Sequence, residues 1–356
     1  MNLSEAIDEY LEARKGMGYA KNTIRTDTQA LKILLAEVGN IRVKHLDARH
    51  GEKFLARLNA SGVKPGTYNL YRGSLRRFSA WCIQRRYLPG SANPLGMSRN
   101  LKNETAPKRR IQSAEFARLL DLCDHPQQRI IVALGLYLFL RASEIEDLSV
   151  GDVDFAAREI RVWQRKTKRY DVMPISKRLD RELRRWLTWF ANDAAERHGG
   201  LQKDWPLVPA RIRTSMFNDG TGKGGGRPFW PASGHMNPRS RVKQVHTRIK
   251  PVLVRFGWEV TAEDREGEHT LRRSGARALY NRLITVEGAA RDDALGIVQA
   301  MLHHKTRAQT EHYIGVTAEV EKRDLLLKGA DMFGEDESSN VVSLDAAPGP
   351  LGVMEA

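Results

Sequence analysis

Four short fragments between residues 141 and 304 contain basic and imidazole side chains, and a tyrosine follows the last fragment. The fragments and the tyrosine are Arg141-Ala142-Ser143-Glu144, Lys166, His269-Thr270-Leu271-Arg272, Leu302-His303-His304 and Tyr313. Breaking a phosphodiester bond requires a nucleophile, cations around the nonbridging oxygens on which charge accumulates, and a proton for the departing 5′ oxygen. The residue types in these fragments can supply all three.

The basic residues suit phosphate binding and proton donation. The planar fork of an arginine can hold two phosphate oxygens at once, which suits Arg141 and Arg272. A lysine at the tip of a hairpin can donate the proton to the leaving oxygen, which suits Lys166. The phenol of Tyr313, with an ordinary pKa of about 10, would be activated as a nucleophile by the surrounding positive charge.

The histidines suit the remaining steps. Histidine titrates near neutral pH, so His269 could accept the tyrosine proton while His304 holds the phosphate by a hydrogen bond. A metal site at His303, His304 and His312 is disfavoured, because adjacent histidines point to different helix faces and no carboxylate or cysteine stands at ligand spacing. The bond energy would stay in the covalent link to the tyrosine, so we expect a reaction without metal, ATP or any other cofactor.

Four helical patterns fill residues 1–90. Apolar residues recur there at steps of three and four, and Gly16, Gly39 and Gly62 follow or end the first three patterns. The fourth pattern, at 67–87, combines an apolar face with many arginines. The spacing therefore predicts an α-helical bundle over residues 1–90.

A linker separates this bundle from a larger domain. Prolines, glycines and basic residues without apolar periodicity mark residues 91–112 as a basic interdomain linker. The second domain is predicted at 113–330. An acidic tail that contains proline and glycine follows at 331–356 and is predicted to be disordered.

The second domain has one clear strand signal. Residues 159–162 and 170–175 read as a β-hairpin joined by a basic turn that contains Lys166. Helical patterns surround the hairpin, including those at 129–140 and 241–256, and residues 199–237 read as a loop. We therefore expect a mainly α chain with a small antiparallel β-sheet.

Composition and charge narrow the function. The chain has 58 Lys and Arg against 43 Asp and Glu, a net charge of +15, and the tail from Gly329 contributes six acids and no base. No apolar run approaches the roughly 20 residues that a bilayer requires, and the start lacks a secretory pattern, so we expect a cytoplasmic, nucleoid-associated protein without membrane contact. Its basic body is typical of a nucleic-acid-binding surface. The basic residues expected to contact double-stranded DNA are Arg72, Arg76, Arg77, Arg85, Arg86, Arg109, Arg110, Lys168 and Arg273.

In their order and spacing, the fragments resemble the tyrosine recombinase (phage integrase) family. Its catalytic domain has R-x-x-E, a hairpin lysine, H-x-x-R, L-G-H and a tyrosine nine residues after that histidine, and Tyr313 follows His304 by nine. Each residue alone has an ordinary structural explanation; only the joint order favours a site. The resemblance implies catalytic roles for Arg141, Lys166, His269, Arg272, His304 and Tyr313, the nucleophile, with Glu144 in support.

Two residues depart from the family pattern. Phe139 and His303 stand where the family commonly has glycine, in T-G-L-R and L-G-H. Both flank catalytic positions, so they put the local geometry in question and leave the residue assignment unchanged.

The resemblance implies an N-terminal four-helix core-binding bundle and an α+β catalytic domain that close as a C-shaped clamp on DNA. It also implies site-specific recombination through a 3′-phosphotyrosyl intermediate and a Holliday junction. A homo-tetramer on two DNA sites would perform it, with accessory DNA-bending proteins in some systems, to integrate or excise a mobile element. A type IB topoisomerase-like enzyme and a catalytically inactive DNA-binding relative are the alternatives.

Overall fold

The computed structural model describes residues 1–90, 94–95, 98–102, 108–165, 167–211, 235–260 and 266–317. The chain divides into two compact units, Met1–Pro107 and Lys108–Ala356. Lys166, part of the predicted linker and the predicted tail lie outside the described residues. Among the described helices, none is both long enough and apolar enough to cross a membrane.

The described part of the first unit contains four helices, which confirms the predicted bundle. They are α1 (Leu3–Gly16), α2 (Lys21–Val38), α3 (Ala48–Ala60) and α4 (Pro65–Gln84). Asp47 caps α3 by accepting a hydrogen bond from the backbone N–H of His50. Pro65 begins α4, where a missing N–H costs no helical hydrogen bond. The helices enclose an apolar core that includes Phe54 and Phe78.

The second unit is also mainly helical. Its described helices are α5 (Phe116–Asp121), α6 (Pro126–Tyr137), α7 (Ala142–Asp147), α8 (Lys177–His198), α9 (His246–Arg255), α10 (Glu268–Thr285), α11 (Arg291–Leu302) and α12 (Arg307–Ile314). The central helix α6 packs against α8 and α10. Gly275 permits the close contact with α10, because a Cβ there would lie 1.8 Å from the carbonyl oxygen of Leu136.

A three-stranded antiparallel sheet lies beside these helices. Its strands are β1 (Val153–Asp154), β2 (Glu159–Gln164) and β3 (Arg169–Pro174), in the order β1-β2-β3. The predicted hairpin is thus confirmed, and its register pairs Val162 with Asp171 and Gln164 with Arg169.

Two parts of the secondary-structure prediction were wrong. A second antiparallel pair, β4 (Pro209–Arg211) and β5 (Met236–Arg241), occupies ends of the segment predicted as a loop, so α9 begins at His246 rather than near residue 241. The strands are short and carry prolines, which weaken a strand signal. Helix α6 also ends at Tyr137, before residue 140, because Phe139 takes a left-handed backbone conformation with φ 56°.

Candidate active site

Arg141 and Glu144 form the N-terminal cap of α7. One carboxylate oxygen of Glu144 accepts the backbone N–H of Arg141 at 2.7 Å, and the other accepts its Nη1 at 2.6 Å. The R-x-x-E spacing places these groups together because residues three apart meet at a helix start. The Glu144 side chain is 3% exposed, whereas that of Arg141 is 36% exposed. The carboxylate therefore holds an arginine that still reaches solvent.

Arg272 lies on α10 and is buried. Its Nη1 donates to the carbonyl of Phe139 and its Nη2 to that of Leu302 at 2.5 Å, while Nη1 lies 3.7 Å from a carboxylate oxygen of Glu144. Burial, followed by repulsion from Arg141, lowers the pKa of Arg272 to about 10. The guanidinium thus remains charged at neutral pH, in a position where its charge is costly.

The guanidinium groups of Arg141 and Arg272 both lie close to the carbonyl oxygen of Leu302. It accepts from Arg272, and Nη2 of Arg141 lies within hydrogen-bond range of it at 3.4 Å. Leu302 ends α11, and the chain then turns through His303, which has φ 52° and ψ 41°. This left-handed turn leads directly into His304.

Phe139 and His303, the two departures from the family pattern, both have positive φ, 56° and 52°. Glycine adopts this conformation freely, whereas other residues meet a steric cost of about 1 kcal/mol. The backbone at both positions is therefore the one that glycine favours, although neither residue is glycine. With phenylalanine and histidine at these two positions in place of glycine, the carbonyls of Phe139 and Leu302 still accept hydrogen bonds from Arg272.

Tyr313, on α12, faces the start of α10. Its hydroxyl donates to the backbone carbonyl of His269 at 3.3 Å and lies 3.5 Å from Nδ1 of the same residue. Burial raises the pKa of Tyr313, and Arg272, Arg273 and Arg141 oppose that shift. From the sequence we expected the cations to activate the phenol and so to lower its pKa, because the sequence indicated the cations but not the burial of Tyr313. The phenol is therefore protonated at neutral pH and needs a base.

His269 is placed to be that base. Desolvation lowers the pKa of His269, Glu268 opposes the shift, and Arg272 and Arg141 add to it. The imidazole is consequently neutral at pH 7 and able to accept a proton. Its ring nitrogen stands beside the hydroxyl of Tyr313.

His304 packs against the ring of Tyr313. The two rings meet edge to face, with centroids 5.1 Å apart. Burial, followed by repulsion from Arg272 and Arg141, lowers the pKa of His304 to about 4, so the imidazole is neutral. Its Nδ1 lies 3.1 Å from the hydroxyl of the buried Thr310, a contact that no sequence signal indicated.

The arginines predicted to contact DNA in the first unit fall into two groups. Arg76, Arg85 and Arg86 are exposed. Arg72 instead donates to Ser98 and Asn100, and Arg77 to the buried Asp27, so internal hydrogen bonds engage these two guanidinium groups. Which arginine is engaged by internal hydrogen bonds depends on partners distant in sequence.

The predicted DNA contacts of the second unit also divide. Lys168 is exposed beside the hairpin turn. Arg273 is only 5% exposed and donates to the carbonyl of Arg109, while Arg110 donates to that of Ile314. These hydrogen bonds hold residues 109–110 against α10 and α12. Because Arg273 is buried, direct contact of its side chain with DNA is disfavoured. The sixth predicted catalytic residue, the lysine at position 166, lies outside the described residues.

Two family models match this chain. Residues 109–319 match the phage integrase family, and residues 3–88 match the phage integrase N-terminal SAM-like domain. Together they span both compact units.

Curated relatives of this chain include proteins named as tyrosine recombinases. The chain is 28% identical over 187 residues to tyrosine recombinase XerA of Pyrococcus horikoshii, a match that covers 52% of this chain and 60% of the relative. It is 26% identical over 330 residues to tyrosine recombinase XerC of a Mycobacterium species (strain JLS), which covers 88% and 93%.

Solved structures share the fold. The Tn1549 transposon integrase in complex with transposon right end DNA aligns with a TM-score of 0.63 at 14% identity, covering 92% of this chain and 99% of that chain. A lambda integrase tetramer bound to a Holliday junction aligns with a TM-score of 0.59 at 15% identity, covering 86% and 78%.

Proposed function

Because this chain belongs to the phage integrase family of tyrosine recombinases, we propose that it cuts and rejoins duplex DNA at specific sites through a 3′-phosphotyrosyl intermediate. The observation that carries this proposal is the approach of Tyr313 to His269, next to the paired guanidinium groups of Arg141 and Arg272. These groups come from helices far apart in sequence.

Cleavage begins at the phenol. His269 takes the proton of Tyr313 as the phenolic oxygen attacks phosphorus, and the bond from phosphorus to the 5′ oxygen breaks. Arg141 and Arg272 bind the nonbridging oxygens, where negative charge increases in the transition state. His304, neutral because of its lowered pKa, donates a hydrogen bond to the phosphate.

The departing 5′ oxygen needs a proton, and the family resemblance assigns this donation to Lys166. The products are a 3′-phosphotyrosine and a free 5′ hydroxyl. Rejoining reverses the step, since a 5′ hydroxyl attacks the phosphotyrosine and releases the phenol. The bond energy is conserved in the covalent intermediate, so the cycle requires no ATP.

Assembly and biological role extend the proposal. Four copies would exchange strands between two DNA sites, as the lambda integrase tetramer bound to a Holliday junction suggests by analogy. The integrase names of the matched family and of the Tn1549 transposon neighbour favour integration or excision of a mobile element. The match of residues 3–88 to an integrase N-terminal domain favours a recombinase over a topoisomerase-like enzyme.

A nicked suicide substrate tests the chemistry. The protein should form a covalent adduct with the 3′ end that resists denaturing gel electrophoresis, and Tyr313→Phe should form none, because it lacks the attacking oxygen. Tyr170→Phe alters an exposed tyrosine outside the site and should form adduct at the unaltered rate. Absence of adduct with the unaltered protein, or its persistence in Tyr313→Phe, would contradict the proposal.

A further inference from the structure

His303 makes a contact that the family pattern does not provide for. Its Nδ1 lies 3.1 Å from a carboxylate oxygen of Asp171, in the middle of β3. A glycine, which the family commonly has here, offers no side chain for such a contact. The pairing is therefore a property of this chain.

The contact lies in a largely buried setting. The side chains of His303 and Asp171 are 14% and 19% exposed, and Arg169 contacts the other carboxylate oxygen of Asp171 at 3.2 Å. Asp171 pairs across the hairpin with the buried Val162, and the buried Gln164 lies next along the same face. The imidazole thus reaches the face of the hairpin that packs against the domain.

The residues on either side of His303 both contact side chains of the candidate active site. The carbonyl of the preceding residue, Leu302, contacts Arg141 and Arg272, and the following residue, His304, packs against Tyr313. A side chain at this point that contacts β3 therefore links the hairpin to the segment that lies against the arginines and the phenol.

The hairpin carries the proposed proton donor. Lys166 stands in sequence between Gln164, the last residue of β2, and Arg169, the first of β3. Asp171 is two residues into β3 from Arg169. The residue that contacts His303 therefore belongs to the strand that follows the lysine directly in sequence.

We propose that His303 is a positioning residue, which through Asp171 holds the β2–β3 hairpin in register with residues 302–304 and so supports the proton donation that the family resemblance assigns to this hairpin. The inference depends on the proposed recombinase function. It assigns a role to the side chain itself, beyond the left-handed turn that its backbone makes.

The test separates proton donation from the rest of the reaction. With an ordinary suicide substrate the leaving 5′ oxygen needs a proton, whereas a substrate with sulfur at the bridging 5′ position releases a thiolate, which is a far weaker base and needs none. We expect His303→Gly to form adduct at least roughly tenfold more slowly on the oxygen substrate, because small displacements of catalytic groups are costly. On the sulfur substrate its rate should equal that of the unaltered protein within about twofold.

Stability provides a second readout. Glycine relieves the steric cost of the positive φ at this position and so offsets part of the lost contact; His303→Gly should remain folded, with a melting temperature close to that of the unaltered protein, while it cleaves the oxygen substrate slowly. His303→Asn, whose side chain tolerates this backbone and can donate to Asp171, should recover much of the lost rate. Val172→Thr, on the exposed face of β3, serves as the matched control and should change neither rate.

A double variant tests the pairing. If His303 and Asp171 act together, His303→Gly combined with Asp171→Asn should be no slower than the slower single variant. An unchanged rate on the oxygen substrate, or an equal loss on both substrates, would overturn the inference. If the unaltered protein forms no adduct on either substrate, the proposed function fails instead.

Discussion

Each unit of the molecule contains a buried carboxylate that lies beside two arginines, but the two clusters use their charges differently. In the first unit, Asp27 is fully buried and contacts Arg77 at 2.7 Å and Arg14 at 3.1 Å. In the second, Glu144 is nearly as buried and lies between Arg141 and Arg272. The composition is the same, so the difference lies in the burial of the arginines and in their remaining contacts: the Arg77 side chain is 38% exposed and that of Arg272 is 2% exposed.

The carboxylate of the first cluster receives further hydrogen bonds. Ser74 donates to Asp27 at 2.6 Å and Tyr10 at 3.4 Å. Although burial opposes the shift, the hydrogen bond and the attraction to Asp27 raise the pKa of Arg77. The charged form of this arginine is therefore favoured, and the cluster joins α1, α2 and α4 of the bundle.

The arginines of the second cluster are less well compensated. Arg272 donates to two neutral carbonyls and has a lowered pKa, because it is buried and lies near Arg141. A phosphate group placed here would supply the missing negative charge. The comparison teaches that an arginine beside a buried carboxylate can have its charge matched within the fold, or be left partly unneutralised where an anion can bind.

The largest expected effect is on the rate of adduct formation, when the same change from arginine to lysine is made in each cluster. Arg272→Lys should slow adduct formation about a thousandfold, because lysine lacks the planar fork that binds two acceptors at once. Arg77→Lys should slow it less than about threefold, since Asp27 also has other donors. Single-turnover rates on a suicide substrate measure both, and melting temperatures show whether each variant is folded. Similar losses of rate would show that the clusters do not differ in this way.

The next effect concerns stability. Asp27→Asn should lower the free energy of unfolding of the first unit by about 3–5 kcal/mol, because it leaves Arg14 and Arg77 without a buried counter-charge. Urea denaturation measures the loss, and Asp8→Asn, at an exposed position of α1, is the control with an expected change below about 0.5 kcal/mol. A small loss for Asp27→Asn would mean that the cluster contributes little to the bundle.

The pH dependence of adduct formation tests the role of His269, which lies beside the second cluster. The pKa of His269 is lowered, so the neutral base persists below its ordinary value of 6.5. Adduct formation should stay constant between about pH 8 and 6.5 and fall about tenfold per unit once the pH drops below the lowered pKa. His269→Gln should react slowly and lack this acidic limb. A rate that already falls between pH 8 and 7 would contradict the assignment of this base.

The smallest effect concerns an arginine beside the first cluster that faces solvent. Arg76→Ala should weaken DNA binding only a few-fold and reduce the dependence of affinity on salt by about one ion, as expected for loss of one phosphate contact. Its melting temperature should not change, in contrast to Asp27→Asn. Arg76→Lys retains the charge and is the matched control. Titrations of labelled duplex at several salt concentrations measure the effect, and an unchanged salt dependence would remove Arg76 from the DNA-binding surface.

Much of the architecture could be predicted because it depends on local patterns. Apolar spacing of three and four residues indicated the helices of the first unit, and a basic turn between two apolar runs indicated the β2–β3 hairpin. The ordered fragments also indicated which side chains could share a site, although Lys166 is outside the described residues and its placement stays a prediction. The weak strands β4 and β5, which contain prolines, gave too little signal.

The sequence by itself determined the residue types available for phosphoryl transfer and the helices that carry them. Only the tertiary structure decided that the carbonyls of Phe139 and Leu302 accept hydrogen bonds from Arg272, that Arg77 pairs with Asp27, that Arg273 is buried, and that His303 contacts β3. The physical reason is that periodicity encodes the burial of neighbouring residues along one element. Backbone acceptors and charge partners distant in sequence carry no such signature and are chosen only when the elements pack.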